Sequence, residues 1–314
     1  VFLDRRLADL SRKRAGGSSA VEPSSVLGAG NGSEPTVERL NVQDILAGEV
    51  LTDAEGTVFL HEQLRSAIEQ PRAGWGRLRR GRPRAPVFEP TAPEWLEETP
   101  WRADYELDED ELTTAWDADK AAGTLPLEVL HRELEELVRE GLGKAVYLDL
   151  ETCGLTQACV FLAGTMQWTG EDFVLRQYLA RDYAEERALV SQLSRYLAQA
   201  EVLITFNGKS FDVPMLRDRA IMHGLELTIP PRHVDLLHHA RARWRERLPN
   251  CRLVTLEAYI CQRRRSGDVP GGEIPGLYHQ FVKHGDPYRL IPVLHHNLLD
   301  VITMDEILRA LVEG

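Results

Sequence analysis

The pattern of apolar and polar positions divides the chain near residue 127. Residues 14–36 (RAGGSSAVEPSSVLGAGNGSEPT) show no hydrophobic period and are rich in Gly, Ser and Pro. Burial cannot offset their ordering entropy, so residues 1–36 are expected to be flexible. VERLNVQDILAG predicts a short amphipathic helix, and EVLTDAEGTVFLHEQ predicts two short strands around a turn at Glu55–Gly56. That is a small element rather than a core, and residues 37–126 are read as this element plus a charged linker. Beyond it, Leu127 to Gly141 predicts a helix with Leu130, Leu134 and Val138 at four-residue spacing and Gly141 as its stop. Lys144 to Glu151 alternates as a strand, and CVFLAGTMQW and FVLRQYLA read as two strands around Thr169–Asp172. A helix from Ala184 to Ala200, a strand EVLITFN and a helix from Val213 to a Gly224 cap follow. In IPVLHHNLLDVITMDEIL, Leu294, Leu298, Val301, Ile302, Leu308 and Leu311 mark the buried side of a last helix. This order predicts an α/β domain over 127–314, a mixed central sheet flanked by helices, behind a mostly irregular N-terminal region.

Composition adds limits. Among 314 residues, 43% are hydrophobic, enough for a substantial core. The four cysteines form no Cys-x-x-Cys pair and read as reduced thiols of a cytoplasmic protein. The uncharged stretch Thr152–Gly170 carries three glycines and two glutamines, so no membrane span is expected. The N-terminus, VFLDRRLADLSRKR, has charges where a signal peptide needs an apolar run, and Val1 suggests that the true start is missing. A net charge of −12 argues at first against a polyanionic partner. Yet residues 89–119 alone hold twelve acids and one arginine, and residues 72–84 hold six arginines and no acid. Such blocks read as a solvated linker, or as an acidic arm that competes with an anionic ligand.

Candidate chemistry lies in the acids of the second half. In KAVYLDLET, Val146, Leu148 and Leu150 share one strand face, and Tyr147, Asp149 and Glu151 the other. Two carboxylates side by side repel each other unless a cation such as Mg²⁺ lies between them. Asp212, in ITFNGKSFDVPML, sits at a helix start, where it suits both an N-cap and a site at a strand's C-terminal end. Asp300 lies on the last helix, with His296 about 40° and His295 about 140° away around the axis. His296 is the better partner if the helix has begun by then; an irregular chain leaves His295 open.

The series YLDLETCGL, FNGKSFD and HNLLD resembles the three motifs of the DEDD exonuclease superfamily, whose RNase H-like fold gathers four acidic residues around two metal ions. With PNCRLVTLEAYI and SGDVPGGEIPGLY between them, the closest resemblance is to the YprB-type RNase H-like family, over about residues 144–311. The resemblance implies Asp149, Glu151, Asp212 and Asp300 as ligands of two Mg²⁺ or Mn²⁺ ions. His296 matches the His-Asn-x-x-Asp pattern, and His295 has the five-residue offset of His-containing relatives, so either is a candidate general base. Cys153 departs from the usual Thr without touching the acidic set.

Two such ions would activate a water and hold the departing 3′ oxygen of a phosphodiester. Asn207 and Lys209 are candidate substrate contacts, or else a turn amide and a surface lysine. Residues 232–265 hold nine arginines and three acids, with Leu237, Ala240, Trp244 and Leu248 as a buried stripe. Arg241 and Arg245 on its flanks are candidate contacts to a nucleic-acid backbone. His233 and Asp235 open this segment and are read as supporting residues, not ligands. The expected function is a metal-dependent nuclease, most simply a 3′–5′ exonuclease on DNA or RNA. The alternative is a non-catalytic RNase H-like module that binds nucleic acid or protein.

Overall fold

The computed structural model describes residues 41–68, 127–154, 158–263, 265 and 268–313. The expected flexible segment 1–36 and the charge blocks at 72–84 and 89–119 lie outside the described residues.

The alternating run at Lys144–Glu151 becomes an interior strand of the sheet. After α1 (Val42–Ile45) come β1 (Glu49–Asp53), β2 (Gly56–Leu64) and α2 (Arg65–Ile68). Helix α3 (Leu127–Glu140) leads into β3 (Ala145–Thr152), β4 (Val160–Trp168) and β5 (Phe173–Leu179). Then follow α4 (Glu186–Leu197), β6 (Val202–Thr205), α5 (Asp212–His223), β7 (Arg232–Asp235) and α6 (Leu236–Trp244). The chain closes with α7 (Leu253–Tyr259), α8 (Ile274–His284) and α9 (Leu290–Glu313). The seven strands lie in the order β1-β2-β5-β4-β3-β6-β7. Strands β3 and β4 pair antiparallel, while β3–β6 and β6–β7 are parallel, so the sheet is mixed as expected.

Three details depart from the sequence pattern. The N-terminal hairpin extends the sheet, pairing β2 antiparallel with β5 from Phe59↔Leu179 to Leu64↔Val174. Its Val58, Phe59 and Leu60 are buried in the same cluster as Val146 and Leu148, so it shares the core of the later residues. On α3, the spacing fits Leu137 as well as Val138. Leu137 is 2% exposed and Val138 56%, so the stripe runs through Leu134 and Leu137 instead. Finally, Tyr147, on the face of β3 that carries Asp149 and Glu151, is fully buried, and its hydroxyl donates to Asp305 of α9 at 2.9 Å.

Helix α9 positions the site. Its first turns, at Leu290, Val293 and Leu294, belong to the same large buried cluster as Val146, Leu148 and Leu150 of β3. From Leu298 to Leu308 it packs with Tyr147, Met166 and Ile204 in a second cluster. His296, Asn297 and Asp300 fall at the changeover. Among the described residues, no helix is long and apolar enough to cross a membrane.

Candidate active site

Asp149 and Glu151 stand at the C-terminal end of β3, two residues apart and therefore on one face. Asp149 is opposite Gly164 of β4, and Gly164 is opposite Gln177 of β5. The missing side chain at Gly164 admits Asn297 from α9, since a Cβ there would lie 2.1 Å from Asn297 Oδ1. Gln177 Nε2 donates to Asn297 Oδ1 at 3.0 Å, and Asn297 Nδ2 donates to Asp149 Oδ2 at 2.8 Å. A buried amide with both ends engaged thus sets the orientation of the first carboxylate.

Asp212 arrives by the β6–α5 connection. It is the first residue of α5 rather than its cap, which is Phe211. Its carboxylate turns to β3 and accepts from the Leu150 amide at 3.2 Å, between the two first-motif acids. The connection is held by Asp235, 1% exposed, which accepts from the amides of Asn207 (2.8 Å), Lys209 (2.9 Å) and Leu237 (3.1 Å). Asn207 takes φ 66°, a left-handed conformation that asparagine tolerates better than most residues. Asp235 therefore supports the loop that delivers Asp212. His233 bonds Thr205 Oγ1 at 2.8 Å.

Asp300 and His296 come from α9, which has begun by Leu290. His296 Nε2 lies 3.5 Å from Asp300 Oδ2, and its Nδ1 lies 2.9 Å from Asp268 Oδ1. The helical register pairs His296 with Asp300. Arg265, only 7% exposed at its side chain, also reaches Asp300. Its other nitrogens bond Glu257 at 2.6 Å and Asp268 at 3.0 Å.

The electrostatics show how crowded the acids are. Burial raises the Asp149 pKa well above the ordinary value, and Asp300, Glu151 and Asp212 add to it. Burial pushes Glu151 up to about 8, with Asp300 and Asp212 adding and His296 opposing. Burial, with the Asp235 charge, pushes Asp212 up to about 7. Asp300 is raised by burial despite Arg265 and His296. Burial pulls His296 down, but its hydrogen bond to Asp268 and the Asp300 and Glu151 charges outweigh that, so its pKa is raised. Four carboxylates that resist ionisation beside one another form a cation-demanding set. All donors are oxygens, which suits a hard divalent ion such as Mg²⁺ or Mn²⁺. Among the described residues no three His, Cys, Asp or Glu side chains converge as a finished ligand set. Asp149, Asp212 and Asp300 are engaged instead by Asn297, the Leu150 amide and Arg265.

The candidate substrate contacts fall farther out. Lys209 Nζ lies 3.7 Å from Glu133 of α3, which draws it toward that helix. Arg245 is exposed and Arg241 half-buried at the end of α6, whose Trp244 packs with Ile307. Ile307 is seven residues beyond Asp300, about 10 Å along α9, so these arginines lie beside the acid cluster rather than in it. Sequence reasoning singled out neither Asn297, Asp268, Arg265 nor Gly164. Asn297 stands in the His-Asn-x-x-Asp pattern and Asp268 in SGDVPGGEIPGLY, but neither was given a role there.

The mixed sheet, with its acids at the end of the interior strand β3, has an RNase H-like fold. The RNase_H superfamily model matches residues 146–312, and the chain belongs to that family. It is similar to the uncharacterized protein YprB of Bacillus subtilis (strain 168), 33% identical over 165 residues. That match covers 50% of this chain and 39% of YprB, so the chain spans about two fifths of its relative. Among solved structures, the family B DNA polymerase of the hyperthermophilic archaeon Pyrobaculum calidifontis overlaps with a TM-score of 0.44 and 17% identity. The overlap covers 54% of this chain and 24% of the polymerase.

Proposed function

We propose that the chain is a metal-dependent nuclease that hydrolyses nucleic-acid phosphodiesters, most simply as a 3′–5′ exonuclease on DNA or RNA. The observation that carries this reading is geometric: Asp149 and Glu151 share one face at the end of β3, and Asp212 accepts from the Leu150 amide between them, with burial raising the pKa of all three. Membership of the RNase_H superfamily supports it. Asp149, Glu151, Asp212 and Asp300 are the residues that would hold two Mg²⁺ or Mn²⁺ ions, whose chemistry is to activate water and neutralise the leaving oxygen. Asn297 keeps Asp149 aimed outward from β4, and Asp235 fixes the loop that carries Asp212. His296, beside Asp300, takes the proton of the attacking water through Nε2. Asn207, Lys209, Arg241 and Arg245 serve as outlying contacts to the sugar-phosphate chain. We place the reaction in the cytoplasm, a reading supported by four cysteines free of disulfides.

The competing reading, a non-catalytic module that binds nucleic acid or protein, is favoured by the ion pair of Arg265 with Asp300, which already neutralises one acid. Incubating the protein with end-labelled single- and double-stranded DNA and RNA, in Mg²⁺, Mn²⁺ or EDTA, separates the two. Metal-dependent shortening abolished by Asp300→Ala supports the nuclease. Retained binding with no cleavage under any condition supports the module.

A further inference from the structure

The loop between α7 and α8 carries a carboxylate that neither the motifs nor the comparisons assign. Asp268 meets Nδ1 of His296 with both oxygens, at 2.9 and 3.0 Å, and its side chain is 13% exposed. Its Oδ2 also accepts from Arg265 Nη1 at 3.0 Å. Arg265 is itself anchored on Glu257, which is 1% exposed, and extends to Asp300. Asp268 is therefore held from behind by a buried guanidinium while it faces the imidazole. An ionised carboxylate only accepts, so the nitrogen it faces must carry hydrogen. On a neutral ring this leaves Nε2, the nitrogen 3.5 Å from Asp300, without one.

We propose that Asp268 is the positioning carboxylate of His296: it holds the ring as the Nδ1–H tautomer, so that Nε2 is the proton-accepting atom on the side of the four acids. Asp268 touches neither substrate nor reacting atoms and acts only through His296. The arrangement resembles in its logic any carboxylate that orients a histidine whose second nitrogen does chemistry. It deepens the nuclease reading and rests on it for its catalytic consequence, whereas the tautomer is a property of the protein alone.

The choice of variant follows from the same contacts. In Asp268→Asn, the amide oxygen stays with Arg265, a donor that cannot be deprotonated. The amide NH₂ then takes the place of Oδ1, the oxygen nearer to Nδ1, and favours hydrogen on Nε2. Asp268→Glu keeps an acceptor. The measurement is long-range ¹H–¹⁵N NMR of histidine-labelled full-length protein without metal, at alkaline pH where the ring is neutral, with His296 assigned by its loss in His296→Gln. The Nδ1–H tautomer is expected in the wild type and in Asp268→Glu, and the Nε2–H tautomer in Asp268→Asn. An Nε2–H wild type, or an unchanged tautomer in Asp268→Asn, overturns the proposal.

Kinetics give a second readout. Asp268→Asn is expected to lower kcat about 10- to 100-fold at unchanged KM, with Asp268→Glu recovering most of the loss. Wild-type turnover in Asp268→Asn overturns the proposal. A wild type that cleaves nothing overturns the nuclease reading, while the NMR result still decides the tautomer.

Discussion

Asn297 Nδ2 donates to Asp149 Oδ2 at 2.8 Å, across the gap left by the missing side chain of Gly164. A strand, a glycine and a helix thus meet at one carboxylate oxygen. In Gly164→Ala the new Cβ would meet Asn297 Oδ1 at 2.1 Å, and the buried amide would have to move. Overpacking of this kind costs about 1–3 kcal/mol. Chemical denaturation of Gly164→Ala should show that loss, together with weaker Mn²⁺ binding by calorimetry. Unchanged stability and metal affinity would mean that Asn297 does not orient Asp149.

The raised carboxylates make the metal-free protein alkali-sensitive. Glu151 moves from an ordinary value of 4.5 to about 8 and Asp212 from 3.8 to about 7. Folding therefore takes up protons in this interval. Their contribution is fully present below the ordinary carboxylate range and is lost as pH rises through about 7 and 8. The melting temperature in EDTA is expected to fall between about pH 5 and 9, and Mg²⁺ should restore more stability at the alkaline end. Differential scanning calorimetry tests this, and a flat or rising profile in EDTA would contradict it.

Neutralising one acid should stabilise the metal-free fold while abolishing turnover. Asp149→Asn fixes in a neutral state a side chain whose ionisation burial, Asp300, Glu151 and Asp212 all oppose. The variant is expected to melt higher than the wild type in EDTA and to gain less from Mg²⁺. A lower melting temperature in EDTA would show that the acids do not repel one another as described.

Away from the site, Glu186 is 1% exposed and accepts from the Val160 amide (2.7 Å), Arg219 Nε (2.6 Å) and His223 Nε2 (2.9 Å). It ties β4 to α4 and α5. Burial pushes its pKa up, but the bonds from Arg219 and His223 outweigh that and hold it below the ordinary value. Its contribution is present above the unfolded carboxylate pKa and is lost as pH falls through the lowered folded value. Arg219→Met strands a buried carboxylate, at a cost of about 3–5 kcal/mol. Urea unfolding at neutral pH measures it, and a loss within experimental error would contradict the account.

What local pattern reveals, the sequence made readable. Alternation in β3 placed Asp149 and Glu151 together, and the 3.6-residue period of α9 paired His296 with Asp300. What depends on distant partners was hidden. Pairing of β2 with β5 joins residues more than a hundred positions apart, and nothing within either strand names its neighbour. Asp212 at a helix start suited a cap as well as a site, because a sequence shows the nearest free amides and not the Leu150 amide of another strand. Arg265 and Asp268 lie in an aperiodic loop, so their ion pairs left no spacing to detect. Leu137 and Val138 both satisfy helical spacing, and only packing against the sheet distinguishes them.

The central claim is that the acids at the end of β3 perform metal-dependent phosphodiester hydrolysis. Its most direct measurement is the Mn²⁺-dependent shortening of 5′-labelled single strands by the wild type beside Asp149→Asn, which retains the shape of the side chain. Stepwise shortening by the wild type that EDTA stops is expected, with a loss in Asp149→Asn beyond the 10- to 100-fold, on the order of magnitude typical of an outer supporting residue. Equal cleavage by the two proteins, or cleavage that persists in EDTA, would contradict it.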